Sequence, residues 1–177
     1  MTLYSIALFV HIVGAVLLFV TLTVEGIALR QLHRAATMEA AQVAAASLRL
    51  NRIVGPLSAL GVLIPGLYMM ATNWGWVAWI VVALASWLAI AVLGAVNGIR
   101  ILALERSRAL LTGIRNPMFL ISWSTRAGIA LGVVFLMTVK PGAAGAVLAI
   151  LVAAAAGAAL ALVLGAARRG QPEGQVA

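Results

Sequence analysis

The sequence predicts an all-α fold, a bundle of five transmembrane helices. Three observations carry this. Five apolar runs of 19 to 27 residues follow one another along the 177-residue chain, and about 20 such residues cross a hydrocarbon core of about 30 Å. Hydrophobic residues make up 64%, charged residues 9%, and the mean hydropathy is +1.14, more apolar surface than a water-soluble domain can hide. The Lys and Arg side chains gather between the runs rather than within them.

The first run covers residues 3–29. It lacks a basic leading segment, exceeds a signal-peptide core, and has no small-residue cleavage site at the usual distance, so it is expected to be a retained helix. At 1.5 Å per residue it reaches roughly 40 Å, longer than the bilayer core. His11, Gly14, Leu18, Thr21 and Glu25 recur at spacings of three and four and so share one helix face. That face holds the only ionisable groups of the run and should point into the protein.

Residues 30–52 read as a polar connection, with Arg30, His33, Arg34, Arg49 and Arg52 around an Ala-rich segment. Thr37 suits the N-cap of a short helix from Met38, with Glu39 near its positive end. The second span runs over 53–71, with Pro56 in its first turn and Pro65-Gly66 inside, where a kink or a freed carbonyl is expected. A turn at Asn73-Trp74-Gly75-Trp76 follows, flanked by Tyr68 and Trp79 in an interfacial aromatic cluster.

The third span covers 77–102 and carries Ser86, Trp87, Asn97 and Arg100; Gly94 and Gly98 offer a small face for close helix contact. Residues 105–117 form a second basic connection. Its Leu110, Leu111 and Ile114 share one side, which suits the membrane interface. The fourth span, 118–139, contains Ser122, Trp123, Ser124, Thr125 and Arg126, and Lys140-Pro141-Gly142 is a turn. The fifth, 143–167, is Ala, Gly, Leu and Val almost throughout, with Ala153, Gly157, Ala161 and Gly165 at four-residue intervals. Residues 1–167 are thus one transmembrane domain, and 168–177 a disordered cytoplasmic tail.

Ten of the twelve Lys and Arg lie in the two long connections, Arg100 included, and the tail; Lys140 lies opposite and Arg126 within a span. The positive-inside rule then sets the N-terminus outside and the C-terminus in the cytoplasm. The net charge of +8 follows from this topology and does not call for nucleic acid as a partner. The lipid bilayer is the expected partner. The Ala/Gly face of the fifth span offers a surface for a homo-oligomer or a larger membrane complex.

Two constellations suit chemistry. The first is His11, about 12 Å below the outer surface. It reads either as a core His bonded to a carbonyl or hydroxyl, or as a ligand: for haem b through a neutral imidazole, or for copper, with Met69, Met70 and Met137 near the same side. Those methionines equally suit gap-filling in a helix interface. His33, 22 residues along, is too far to complete a bis-His site in one chain. The second is a buried polar cluster of Glu25, Asn97 and Arg126 toward the inner side. An intramembrane Arg needs a counter-charge, and Glu25 is the only acid within a span. A Glu25–Arg126 pair is therefore expected, bridged by Asn97, Ser122 or Thr125. It reads as a structural pair fixing helix register, or as the inner site of a small-solute or ion transporter.

Cysteine is absent, which excludes disulfides, thiolate metal sites and covalent c-type haem. No phosphate-binding loop, zinc-type His/acid spacing or Ser-His-acid set occurs, and no catalytic residue is assigned.

The run Leu8-Phe9-Val10-His11-Ile12-Val13-Gly14-Ala15-Val16-Leu17-Leu18 resembles the first helix of a group of small bacterial membrane proteins. The group includes the copper resistance protein D family, the HemJ-type protoporphyrinogen oxidases, and a family of integral membrane proteins of unknown function. The length and basic loops are most similar to the last. The resemblance implies a multi-pass protein of the bacterial cell inner membrane, with His11 at the position of a haem-linked His. HemJ-type proteins also use a Lys on a later helix; here the only Lys is Lys140, in an outer turn, which argues against that oxidase activity.

Overall fold

The computed structural model describes residues 2–107, 109–114 and 116–169, with side chains of the last helix as far as residue 163. The described residues form helices and turns: α1 (Leu3–Arg34), α2 (Met38–Met69) continued by a π-helical turn (Met70–Trp74), α3 (Ala78–Arg106), the one-turn α4 (Leu110–Gly113), α5 (Met118–Val139) and α6 (Ala143–Arg169). Among them α1, α2, α3, α5 and α6 are long and apolar enough to cross a membrane. This is a multi-pass membrane protein with an all-α helical bundle. The expected tail begins inside α6, which continues to Arg169; residues 108, 115 and 170–177, the side chains of Arg168 and Arg169, and the surroundings of Gly165 lie outside the described residues.

The first long connection is helical from Met38, as expected, but it is the first half of α2 rather than a separate short helix. Only residues 35–37 separate α1 from α2. Thr37 caps α2, its Oγ1 accepting from the Ala40 N–H at 3.3 Å, and the Ala-rich segment runs unbroken into the second span. Alanine has the best helix propensity, and its small side chains let α2 lie close on α1: Ala41, Ala44 and Ala45 are buried with Leu29 and Leu32. Pro56, expected in a first turn, therefore sits in the interior of a 32-residue helix, as does Pro65.

The second long connection also departs from expectation. Leu110 and Ile114 are buried, 3% and 0% exposed, in the same cluster as Leu32, Ala41 and Phe119. They pack into the protein rather than lying on its surface, because the ends of α1 and α2 give them an apolar surface to cap. This end of the bundle carries Arg30, Arg34, Arg49, Arg52 and Arg106 and is the basic end.

At the opposite, aromatic end, Trp74 and Trp79 meet edge to face at 5.7 Å. The Trp74 indole N–H donates to the Tyr4 hydroxyl at 3.5 Å, and the Lys140 ammonium lies 4.1 Å from the Trp74 ring centre, a favourable cation–π distance. One side chain thus ties the start of α1, the end of α2, the start of α3 and the end of α5.

Two tight hairpins make up most of the bundle. In the first, α1 and α2 touch at Gly14 and Gly61, where a Cβ on Gly14 would come 2.5 Å from the Gly61 carbonyl carbon. In the second, the Ser124 hydroxyl donates to the Gly157 carbonyl at 2.6 Å, and a Cβ on Gly157 would run into the Ser124 backbone. The small face of α6, expected to be open to a partner, is used by α5 at Ala153 and Gly157. Small residues hold spans together because lipid leaves close packing and polar bonds as the driving terms. α3 lies on α5 and α6, and α1 on α5. α2 and α3, though consecutive, hardly touch along their backbones.

Candidate functional site

The gap between α2 and α3 is a cavity of about 500 Å³, within the range of small-molecule sites. It runs from Leu18, Leu60 and Trp87 down to Leu48 and Ile101, roughly 20 Å at 1.5 Å per residue along α3. Its floor is the buried cluster of the basic end, to which Leu48 and Ile101 belong. Below, an Arg52–Glu105 ion pair at 3.0 Å bridges α2 and α3. Its side walls are open: Pro56 and Leu60 on α2 and Ala95 on α3 line it and are exposed. The cavity therefore opens sideways, toward lipid.

Small residues make this space. Gly94 and Gly98, expected to bring another helix close, line the cavity instead. A Cβ on Gly98 or on Gly55 would meet nothing within 4 Å. A Cβ on Gly94 would come 2.6 Å from Nη1 of Arg126, so Gly94 is the seat on which that guanidinium lies.

Arg126 and Glu25 form a buried ion pair, Nη2 donating to Oε1. Both line the cavity, with side chains 7% and 11% exposed. The pair is held by its neighbours. Trp123, three residues before Arg126 on α5, donates its indole N–H to the Leu22 carbonyl at 2.6 Å, and its ring fills the space beside Gly26. The Arg30 guanidinium lies 5.7 Å from that ring's centre. On the α2 side, the Asn51 amide donates to the Thr21 carbonyl at 3.1 Å.

A guanidinium has five N–H donors; among the described residues Arg126 makes one side-chain hydrogen bond, to Glu25, and its buried Nε has no partner. Asn97 is 2% exposed and its Nδ2 is likewise without a partner. The expected bridging is not made: neither Asn97, Ser122 nor Thr125 bonds to the pair, and it is Ser124, one residue on from Trp123, that is engaged, with α6. Buried donors without acceptors are costly in a low-dielectric interior. Arg126 Nε is the unpartnered donor on the cavity wall, Asn97 lies behind that wall, and Glu105 Oε1, beside Arg52, is a buried acceptor likewise without a partner among the described residues.

His11 lies elsewhere. It is half-buried, and its Nδ1 is 2.8 Å from the Val62 carbonyl. A carbonyl only accepts, so Nδ1 carries the proton and a neutral ring keeps its lone pair on Nε2. The bond falls three residues before Pro65, in the stretch where a freed carbonyl is expected. Gly66 faces the ring: a Cβ there would come 3.2 Å from His11 Cε1. Beside it is a shallow apolar depression that includes Val10, Ile64 and Tyr68. Met69 and Met70 are buried at the end of α2, and Met137 packs with Trp79 and Val82 in the cluster around Leu136. No group of three or more His, Asp or Glu that could hold a metal ion occurs among the described residues.

The sequence offered no sign of the cavity itself. Its signal is the run of small residues on facing walls, Gly55, Pro56 and Ala59 against Ala91, Gly94 and Ala95, and that pattern is shared by helices in tight contact. In comparisons with protein-family models, curated proteins and solved structures, the chain matches none.

Proposed function

We propose that this chain is a multi-pass protein of a bacterial inner membrane that binds a small amphipathic molecule between α2 and α3. Its basic end faces the cytoplasm, as the positive-inside rule requires. The apolar walls take the chain of the ligand, and Arg126 takes its polar end. The observation that carries this reading is Arg126 on the wall of a ligand-sized cavity, its buried Nε without a partner among the described residues. The role is binding or carriage of a solute rather than its chemical conversion.

Trp87 provides a local test, since it lines the cavity and is one of five tryptophans. Titration of the detergent-solubilised protein with a chain-brominated fatty acid is expected to quench part of the tryptophan emission saturably. That part is lost in Trp87→Phe. Quenching that never saturates, or that is the same without Trp87, would refute the reading.

A second reading rests on His11. The Nδ1–H bond to Val62 fixes the ring and leaves Nε2 as the ligating atom, the arrangement that second-shell carbonyls give to metal-bound imidazoles. Together with the resemblance to HemJ-type proteins, this supports His11 as the residue that would hold a haem through Nε2. Haem, when bound, supplies redox chemistry; this chain's part is to hold and orient the imidazole. Purification from haem-replete cells should then give a Soret band that shifts with dithionite and is absent in His11→Ala. A flat spectrum from the wild-type protein would discard this reading.

A further inference from the structure

We propose that anion binding in the α2/α3 cavity is coupled to uptake of one proton by Glu25. The inference rests on the cavity being a binding site and adds the charge rule that governs it. It follows from the inventory of charged groups around Glu25.

On α5 the facing charge is Arg126, to which Glu25 is bonded. On α2 it is Arg52, already paired with Glu105 of α3 at 3.0 Å; its neighbour Asn51 is neutral and donates to α1. On α3 no ionisable residue occurs from Ala78 to Gly98, and Arg100 beyond them is exposed. On α1 itself the nearest ionisable groups are Arg30, over the Trp123 ring, and His33, two turns on, its Nδ1 donating to the Leu29 carbonyl. The charges facing the cavity thus cancel in two pairs. An anion placed on Arg126 brings one negative charge more than the site can balance.

A guanidinium does not give up its proton, so Arg126 cannot adjust. Arg52 is held by Glu105. A carboxylate can adjust: two anions sharing one cationic partner in a low-dielectric site do not both stay ionised. The exchange is balanced. The ligand anion and a proton enter; the anion takes Arg126; Glu25 gives up its bond to Nη2 and becomes a carboxylic acid. The site has the same net charge before and after. Glu25 then offers an O–H donor, so both former partners can bond to the ligand. The proton comes from water at the basic end, the side on which Asn51 and Arg52 line the cavity. Binding of this kind ties movement of an anion to movement of a proton in the same direction.

The test uses decyl sulfonate, which is an anion at every working pH, and the full-length protein in a neutral detergent. Calorimetric titrations at pH 7 in two buffers of different ionisation enthalpy give the protons taken up per ligand bound. About one proton per sulfonate is expected, with an infrared difference band from a newly protonated carboxyl group. Affinity should fall close to tenfold per unit rise in pH. Glu25→Gln is expected to bind without proton uptake and independently of pH, and Glu25→Asp to keep the coupling. Sulfonate binding by the wild-type protein with no proton uptake and no carboxyl band overturns the inference and leaves the binding site standing. Uptake that persists in Glu25→Gln overturns the assignment to Glu25. No sulfonate binding by the wild-type protein overturns the site, and the coupling with it.

Discussion

Replacing Arg126 by Met destabilises the protein by about 3–5 kcal/mol, the cost of leaving a buried charge without its partner. Glu25 is the group left behind, 8% exposed overall and, among the described residues, paired with Arg126 alone. The double substitution Glu25→Leu with Arg126→Met is expected to recover most of this, to within about 1 kcal/mol of the wild type, because apolar side chains of similar volume replace a buried pair with little loss. Reversible unfolding in mixed micelles measures both. A single variant that costs less than about 1 kcal/mol would mean that the pair is solvated like a surface salt bridge and that the cavity is not a low-dielectric site. The double variant also separates folding from function, since it should fold and should not bind the sulfonate.

The second large effect is at the α1/α2 contact, and it is asymmetric. Gly14→Ala is expected to cost about 1–3 kcal/mol by overpacking. The added methyl group would lie within 2.5–2.8 Å of Gly61 and Val62 backbone atoms, which cannot swing aside as a side chain can. Gly61→Ala should be nearly silent, because the nearest atom to its Cβ would be the Gly14 Cα at 3.4 Å, an ordinary contact. Thermal unfolding in detergent of the two variants, side by side, decides the matter. Equal losses would show that the hairpin shifts as a whole and that Gly14 is not its closest point. The consequence reaches His11, whose bond to Val62 lies on the same contact.

The spans were legible in the sequence because lipid imposes a length and a composition on them. The Glu25–Arg126 pair was legible for a different reason. Acids are so scarce in the apolar runs that Arg126 had one candidate partner. What could not be read was which small residues meet another helix and which face a gap. Gly14 and Gly157 touch a neighbouring backbone, while Gly55 and Gly98 face open space, yet all four look alike in sequence. The helix start at Thr37-Met38 was legible, but charge set the two long connections apart from the spans, so the continuity of the first with α2 was missed. Arg30, Arg34 and Arg49 lie on the exposed faces of helices whose other faces are buried, and an Ala-rich segment carries too weak a periodicity to show that.

The helical hairpin at the basic end sets up one more consequence. At 32 residues each, α1 and α2 are about 48 Å long, so roughly 18 Å of them stand beyond a hydrocarbon core of about 30 Å. With the Trp74–Trp79 aromatic cluster at one interface, that overhang falls at the basic end, and the cluster of Leu32, Ala41, Leu110 and Ile114 is expected to be a core folded in water beneath a bundle folded in lipid. The first is stabilised by release of water from apolar surface, and carries the positive heat-capacity change and the urea sensitivity of a soluble domain. The second gains nothing from that source, since lipid is as apolar as its own side chains. One continuous pair of helices would thus obey two different thermodynamic laws along its length, and the α2/α3 cavity, whose floor is that cluster, would lie where they meet.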